Sequence, residues 1–234
     1  MLVLFLYSFL NSYKIGIVKH ADTLSKEAFN ALLKTLEEPK KKVLIILIAK
    51  TLDSLPGTIV SRSQILRFRP VKADTIYDYL IENHKASRSA AKNFSQLSLG
   101  RPALAVKFFE DKDFYNNYKE KVEVFLDFMK LDINGRLSLI EKIIEKKPIN
   151  QEAVKKTKRT LEVWQGVIRD WLLLEYGFNN LIQHQIVEDE ILKLKKIVDI
   201  NKVIKLIKAI GQAEEFLNAN VNPKLVLENI AVQI

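Results

Sequence analysis

The chain has 234 residues and carries 37 Lys and Arg against 28 Asp and Glu, a formal net charge of +9, with 48% hydrophobic residues, 7 Gly and 6 Pro. That balance belongs to a globular protein that can bury a core, and it excludes collagen-like and linker-dominated chains. The absence of cysteine excludes disulfides, thiol nucleophiles and cysteine metal sites, while the basic excess suits a polyanion or an acidic protein partner.

In chain order, residues 1–10 (MLVLFLYSFL) are apolar, yet no positive residue precedes them and no A-x-A pattern follows. Ten residues also fall short of the roughly 18 that a membrane helix needs, so a cytoplasmic chain whose first residues pack into a core is expected. Residues 14–18 (KIGIV) read as a short strand. Ser25 is the expected N-cap of the next helix, with Leu24 and Phe29 as its hydrophobic staple. Ala28, Leu32, Leu33 and Leu36 continue that helix's buried stripe, and Pro39 stops it. Residues 43–49 (VLIILIA) read as a strand covered on both faces, the signature of a parallel sheet. A Leu-Pro-Gly turn at 55–57 leads into a short helical segment through Arg62, and residues 64–69 (QILRFR) read as another strand.

After Pro70 the strand signals vanish. A small helical unit is expected over 72–110, with helices near 73–83, 87–97 and 102–110. Longer amphipathic helices follow near 112–130, 135–146, 150–176, 180–197, 200–219 and 223–233, punctuated by Gly135, Pro148, Gly177 and the Asn222-Pro223 pair. The basic excess sits in front: residues 1–70 hold 11 basic and 5 acidic side chains, residues 111–234 hold 20 and 19. If nucleic acid is touched, the basic front is the expected surface. Three strands with one long helix are too few to cover both faces of a sheet, so the α/β part reads as incomplete, with only residues 1–12 upstream to add to it. The sequence encoded in frame upstream of Met1 would distinguish a misplaced start from genuine reduction.

The helix Lys26-Glu-Ala-Phe-Asn-Ala-Leu-Leu-Lys-Thr-Leu-Glu-Glu-Pro39 precedes the apolar strand, and Leu55-Pro56-Gly-Thr-Ile-Val-Ser61-Arg62-Ser63-Gln64 follows it. In that order and spacing the block resembles the bacterial clamp-loader AAA+ proteins, the delta-prime and gamma/tau subunits of DNA polymerase III. Ser98-Leu-Gly100-Arg101-Pro102 resembles the lid segment that carries the family's second sensor arginine. Residues 168–174 and 220–228 are similar to collar helices of delta-prime proteins, which the overall pattern favours over the motor subunit.

Departures from the family pattern are specific. Lys19 and His20 stand where the family's Walker B strand is followed by an acidic pair, and a lysine offers magnesium no oxygen ligand. No G-x-x-x-x-G-K-[ST] occurs, so no loop cradles phosphates. Lys50 stands at the usual sensor hydroxyl, with Thr51 adjacent, and Ser63 replaces the cysteine of Ser-Arg-Cys. The resemblance therefore implies no ATP hydrolysis in cis and no bound metal, with ATP and magnesium only in a neighbouring subunit.

Within that resemblance Arg62, beside Ser61, is the candidate arginine finger acting in trans, where a guanidinium stabilises charge on a neighbour's γ-phosphate. The bland reading is that it caps the short helix or pairs with a surface acid. Arg101 is sensor-like but has no ligand in cis, which favours a structural role. Lys19, His20 and Asp22 read as the remnant of a magnesium site rather than a proton-transfer cluster. His84 and His184 fall at loop or helix-end positions without cluster partners in sequence. Trp164, Ile168 and Trp171 share one helix face, which suits core packing or a subunit contact better than base stacking. Residues 155–159 (KKTKR) are the densest basic run and read as a solvated helix face.

The expected architecture is a partial AAA+ α/β core (1–70), a three-helix lid (71–110) and an all-helical collar (111–234), mostly helical overall. The expected role is that of a non-hydrolysing delta-prime-like subunit of the clamp loader, within a DNA-directed DNA polymerase holoenzyme. Its implied partners are gamma/tau-like motor and delta-like clamp-opening subunits, with the sliding clamp and primer-template DNA reached through the complex and no membrane involved. The alternative is a truncated helical interaction or nucleic-acid-binding module.

Overall fold

A computed structural model describes residues 3–6, 14–38, 42–144 and 151–234, the first of these as backbone. The chain divides into two compact units, residues 1–68 and 69–234.

The first unit holds a three-stranded sheet in the order β1 (Val3–Leu6), β2 (Lys14–Lys19), β3 (Val43–Ile48). β2 and β3 are parallel, with Lys14 opposite Val43 and Lys19 opposite Ile48, and helix α1 (Lys26–Glu37) makes the crossover that parallel strands require. Ser25 caps α1 by accepting from the Ala28 N–H at 3.3 Å, as its sequence position predicts. β1 pairs antiparallel with β2, so the sheet is mixed. The predicted stop at Pro39 lies outside the described residues.

Two expectations fail in this unit. Residues 64–69 join no strand among the described residues: they run exposed, with Phe68 94% accessible. Their alternation suits a strand, but pairing is a non-local event that alternation alone does not supply. β3 is also not covered on both faces, because Leu44, Ile46 and Ile48 are exposed while Val43, Ile45 and Leu47 are half-buried. Among the described residues of this unit, only Ala21, Phe29 and Ile59 are buried apolar side chains.

The second unit is helical. α2 (Gly57–Val60) closes the first unit, and α3 (Ala73–His84), α4 (Arg88–Leu97) and α5 (Pro102–Glu110) then pack around Ile76, Leu80, Phe94 and Phe108. A larger cluster centres on Phe128, Trp164, Leu206 and Ile230, drawn from α6 (Lys112–Lys130), α8 (Gln151–Glu175), α10 (Ile200–Asn218) and α11 (Pro223–Gln233). α7 (Ile133–Ile143) and α9 (Glu188–Lys195) complete this part. Helix starts follow their caps: Ser87, Asp111, Asp132 and Asn222 each accept a backbone N–H of the first turn. Arg136, buried, donates to the carbonyls of Phe128 and Ala231 and so ties α7 to α6 and α11.

The expected helix over 180–197 is broken. Residues 179–181 and 185–187 form single 3-10 turns, and the α-helix begins only at Glu188. Between the turns, the backbone N–H groups of Gln183 and His184 donate to the buried Asp170 carboxylate instead of to carbonyls of a helix.

Gly100 lies between α4 and α5 at φ +76°, where a Cβ would stand 2.5 Å from the Cβ of Pro70. Gly100→Ala is expected to cost roughly 1–3 kcal/mol in denaturant unfolding, from both the left-handed backbone and the clash.

Candidate functional site

The Ser61-Arg62-Ser63 turn is built by the end of α2. A four-residue helix leaves its last carbonyls without intrahelical donors, and here the backbone N–H groups of the turn and its side chains supply them together. Ser61 Oγ donates to the Thr58 carbonyl at 3.2 Å, and Ser63 Oγ to that of Ile59 at 2.7 Å. Arg62 donates through one terminal nitrogen to Thr58 O at 3.1 Å and to Ser61 Oγ at 3.4 Å. Its other terminal nitrogen meets the Glu37 carboxylate, on the last residue of α1, at 3.0 Å. Ile59, buried beneath, anchors the turn while Arg62 stays exposed. Both halves of the bland reading of Arg62, the helix cap and the surface acid, are therefore present.

Lys19 ends β2, and His20 follows in the left-handed region at φ 56°, both exposed. Thr23 closes the turn by donating its hydroxyl to the His20 carbonyl at 2.8 Å. These two side chains present an ammonium and an imidazole where a magnesium site needs carboxylate oxygens, so the residues present do not fit the ion. Asp22 has one carboxylate oxygen buried without a partner among the described residues. Lys50 and Thr51 follow β3 and are exposed.

Arg101 caps α5 and turns back on its own segment, its Nε donating to the Ser98 carbonyl at 3.1 Å. Residues 155–159 lie on α8 with Lys155, Lys156 and Arg159 exposed, Thr157 buried, and Lys158 bonded to Asn218 at 2.7 Å. Trp164, Ile168 and Trp171 are buried in the larger core. His84 pairs with Glu110 at 3.2 Å and meets Tyr79 and Phe109 edge-on.

His184 is the residue that sequence reasoning missed, since it has partners after all. Asp170, fully buried on α8, accepts from the His184 backbone N–H and from its Nδ1, each at 2.7 Å, and from Gln183 N at 3.0 Å. Arg169 donates to its other oxygen at 3.1 Å. With Nδ1–H turned to Asp170, His184 Nε2 accepts the Tyr118 hydroxyl at 2.6 Å. Gln183 Nε2 donates to Leu97 O at 3.1 Å, so the cluster joins α4, α6 and α8. A cavity of about 270 Å³ opens beside it, lined by Tyr115, Tyr118, Glu123, His184 and Glu190 among others. The signal was available: Asp170 lies on the apolar stripe of Val167, Ile168, Trp171 and Leu174, where a carboxylate must find buried donors.

Burial pushes the Tyr118 phenol well above its ordinary value of 10.0, and the Asp170 charge adds to this. Below pH 10 folded and unfolded chains both keep that proton. Above it the unfolded chain releases the proton while the folded chain holds it, so stability falls as pH rises. Urea unfolding followed from about pH 9 to about pH 11 is expected to show a steeper loss in the unmodified protein than in Tyr118→Phe.

Among the described residues, no helix is long and apolar enough to cross a membrane. Residues 4–72 match the sequence model of a family described as DNA polymerase III, delta subunit. The DNA polymerase III subunit delta' of Bacillus subtilis (strain 168) is 45% identical over 69 residues, 30% of this chain and 21% of that protein. The corresponding delta' of Haemophilus influenzae is 32% identical over 101 residues, 43% of this chain and 31% of that one. DNA polymerase III subunit gamma of Buchnera aphidicola subsp. Acyrthosiphon pisum is 36% identical over 68 residues, 29% of this chain and 19% of that protein. Among solved structures, the Bacillus subtilis DNA clamp loader delta protein aligns with 97% of this chain and 79% of its own, at a TM-score of 0.36 and 13% identity. The chain spans about a fifth to a third of the length of these curated relatives. Residues 4–72, which include β2, α1, β3 and the Arg62 turn, are thus the part of the chain that is similar to DNA polymerase III delta' and gamma subunits.

Proposed function

We propose that the chain acts as a delta-prime-like, non-hydrolysing subunit of a cytoplasmic clamp loader. The observation that carries this reading is the 45% identity with a delta' subunit over the segment that ends in the exposed Arg62 turn. Lys19 and His20 offer magnesium no carboxylate at the end of β2, and in this reading ATP and its metal belong to a neighbouring motor subunit of gamma/tau type. Arg62, with Ser61 beside it, is offered to that neighbour's γ-phosphate, where a fixed guanidinium stabilises developing charge. Arg101 keeps a structural role in its turn.

In this reading residues 1–70 are the partial AAA+ core, 71–110 the lid and 111–234 the collar that joins the sister subunits, including the clamp-opening one. Support for the collar comes from α10, whose exposed face sets Ile204, Ile207 and Phe216 among Lys202, Lys205 and Lys208. An apolar row ribbed with lysines suits a protein partner with an apolar, acid-edged surface. The sliding clamp and primer-template DNA are reached through the assembly.

The test is ATP turnover by the complex reconstituted with motor and clamp-opening subunits, clamp and primed DNA. The chain alone is expected to hydrolyse nothing, and Arg62→Ala to slow the site it completes on the order of 10²-fold. A complex that forms but turns over equally with Arg62→Ala contradicts the finger. No complex at all leaves the helical interaction module as the better account.

A further inference from the structure

We infer that Glu37 is the positioning residue of Arg62: it holds the guanidinium, in advance of any encounter, in the exposed attitude from which it meets the neighbour's phosphate. This deepens the proposed function and rests on it.

The two residues are remote in sequence and brought together by the fold. Glu37 is the last residue of α1, and Arg62 follows α2. Their contact, at 3.0 Å, sits on the surface, with the Arg62 side chain 40% and the Glu37 side chain 52% accessible. One terminal nitrogen of the guanidinium is thus held by Glu37 and the other by the Thr58 carbonyl at 3.1 Å. Among the described residues its Nε has no protein acceptor, and that edge is left for an incoming anion.

Two physical arguments assign Glu37 a role beyond decoration. An arginine on a long flexible stem loses rotamer freedom when it is fixed, and a fold that fixes it beforehand removes that loss from the encounter. Two holding points on different helices define a direction, whereas the Thr58 carbonyl and Ser61 Oγ share one terminal nitrogen and leave the guanidinium free to swing about it. Second, a carboxylate in the last turn of a helix opposes the helix dipole, so Glu37 is locally unfavourable to α1. The ion pair with Arg62 offsets that disadvantage. Glu38, the neighbouring acid, makes no such contact among the described residues and serves as the control.

The experiment measures ATP turnover against ATP concentration in the reconstituted complex with primed DNA, after size exclusion has shown that each variant joins it. Glu37→Ala is expected to lower kcat about tenfold with KM little changed, since orientation and not binding is lost. Glu37→Gln, whose amide oxygen still accepts from Arg62, recovers most of the rate, and Glu38→Ala matches the unmodified protein. Glu37→Ala combined with Arg62→Ala is no slower than Arg62→Ala alone, because Glu37 acts through Arg62. If Arg62→Ala is slow but Glu37→Ala runs at or above the unmodified rate, the positioning role is overturned while the finger stands. If Arg62→Ala is itself as fast as the unmodified protein, the finger fails and Glu37 loses its role with it.

Discussion

Asp170→Ala is expected to destabilise residues 69–234 by about 3–5 kcal/mol, read as a lowered midpoint in urea unfolding. The carboxylate is fully buried and accepts four hydrogen bonds: two from backbone N–H groups, one from His184 and one from Arg169. Its removal strands the N–H groups of Gln183 and His184 inside the protein, and each buried donor left unpaired costs about 1–3 kcal/mol. His184 Nδ1 loses its acceptor as well, so the Tyr118 contact loses the tautomer that sustains it. Asp170→Asn keeps one acceptor oxygen but turns an amide N–H₂ towards donors, so it is expected to fall between alanine and the unmodified protein. A midpoint unchanged by Asp170→Ala would mean that the 182–184 segment does not depend on this carboxylate.

Trp164→Ala is expected to cost a comparable amount, about 3–5 kcal/mol, through the cavity it leaves. Trp164 is fully buried on α8, with the rings of Phe128 and Phe125 at 4.8 and 5.6 Å between centroids. Trp164→Phe should cost much less. The indole N–H is buried without a partner among the described residues, so its removal relieves an unsatisfied donor while much of the packing remains. Thermal unfolding by circular dichroism separates the two: a large drop for alanine and a small one for phenylalanine. Equal drops would indicate that shape, not the orphaned donor, decides the cost.

What was legible in the sequence follows local rules. The β2-α1-β3 unit could be read because Ser25 caps α1 and apolar runs flank it, and the helices after Pro70 because amphipathic runs are punctuated by residues such as the Asn222-Pro223 pair; the caps at Ser87, Asp111 and Asp132 were local signals left unused. Non-local facts were not legible. Residues 64–69 alternate like a strand yet pair with none described, and β3 is apolar on both faces although only one is sheltered. The helix expected over 180–197 broke because Asp170, from another helix, captured the N–H groups that would have continued it. At the site, the motif picked out Arg62 and ran a short helical segment through it, whereas the helix ends at Val60 and Arg62 follows in a turn. Its partner Glu37 could not be singled out, since the two acids of Lys-Thr-Leu-Glu-Glu are equivalent until the fold places one of them 3.0 Å from the guanidinium.

The most direct test of the central claim is the mass in solution, by size exclusion with light scattering, of this chain mixed with the gamma/tau-type motor subunit of the same cell. The account predicts a stable complex heavier than either component and containing both. Separate peaks at the masses of the unmixed proteins would contradict it.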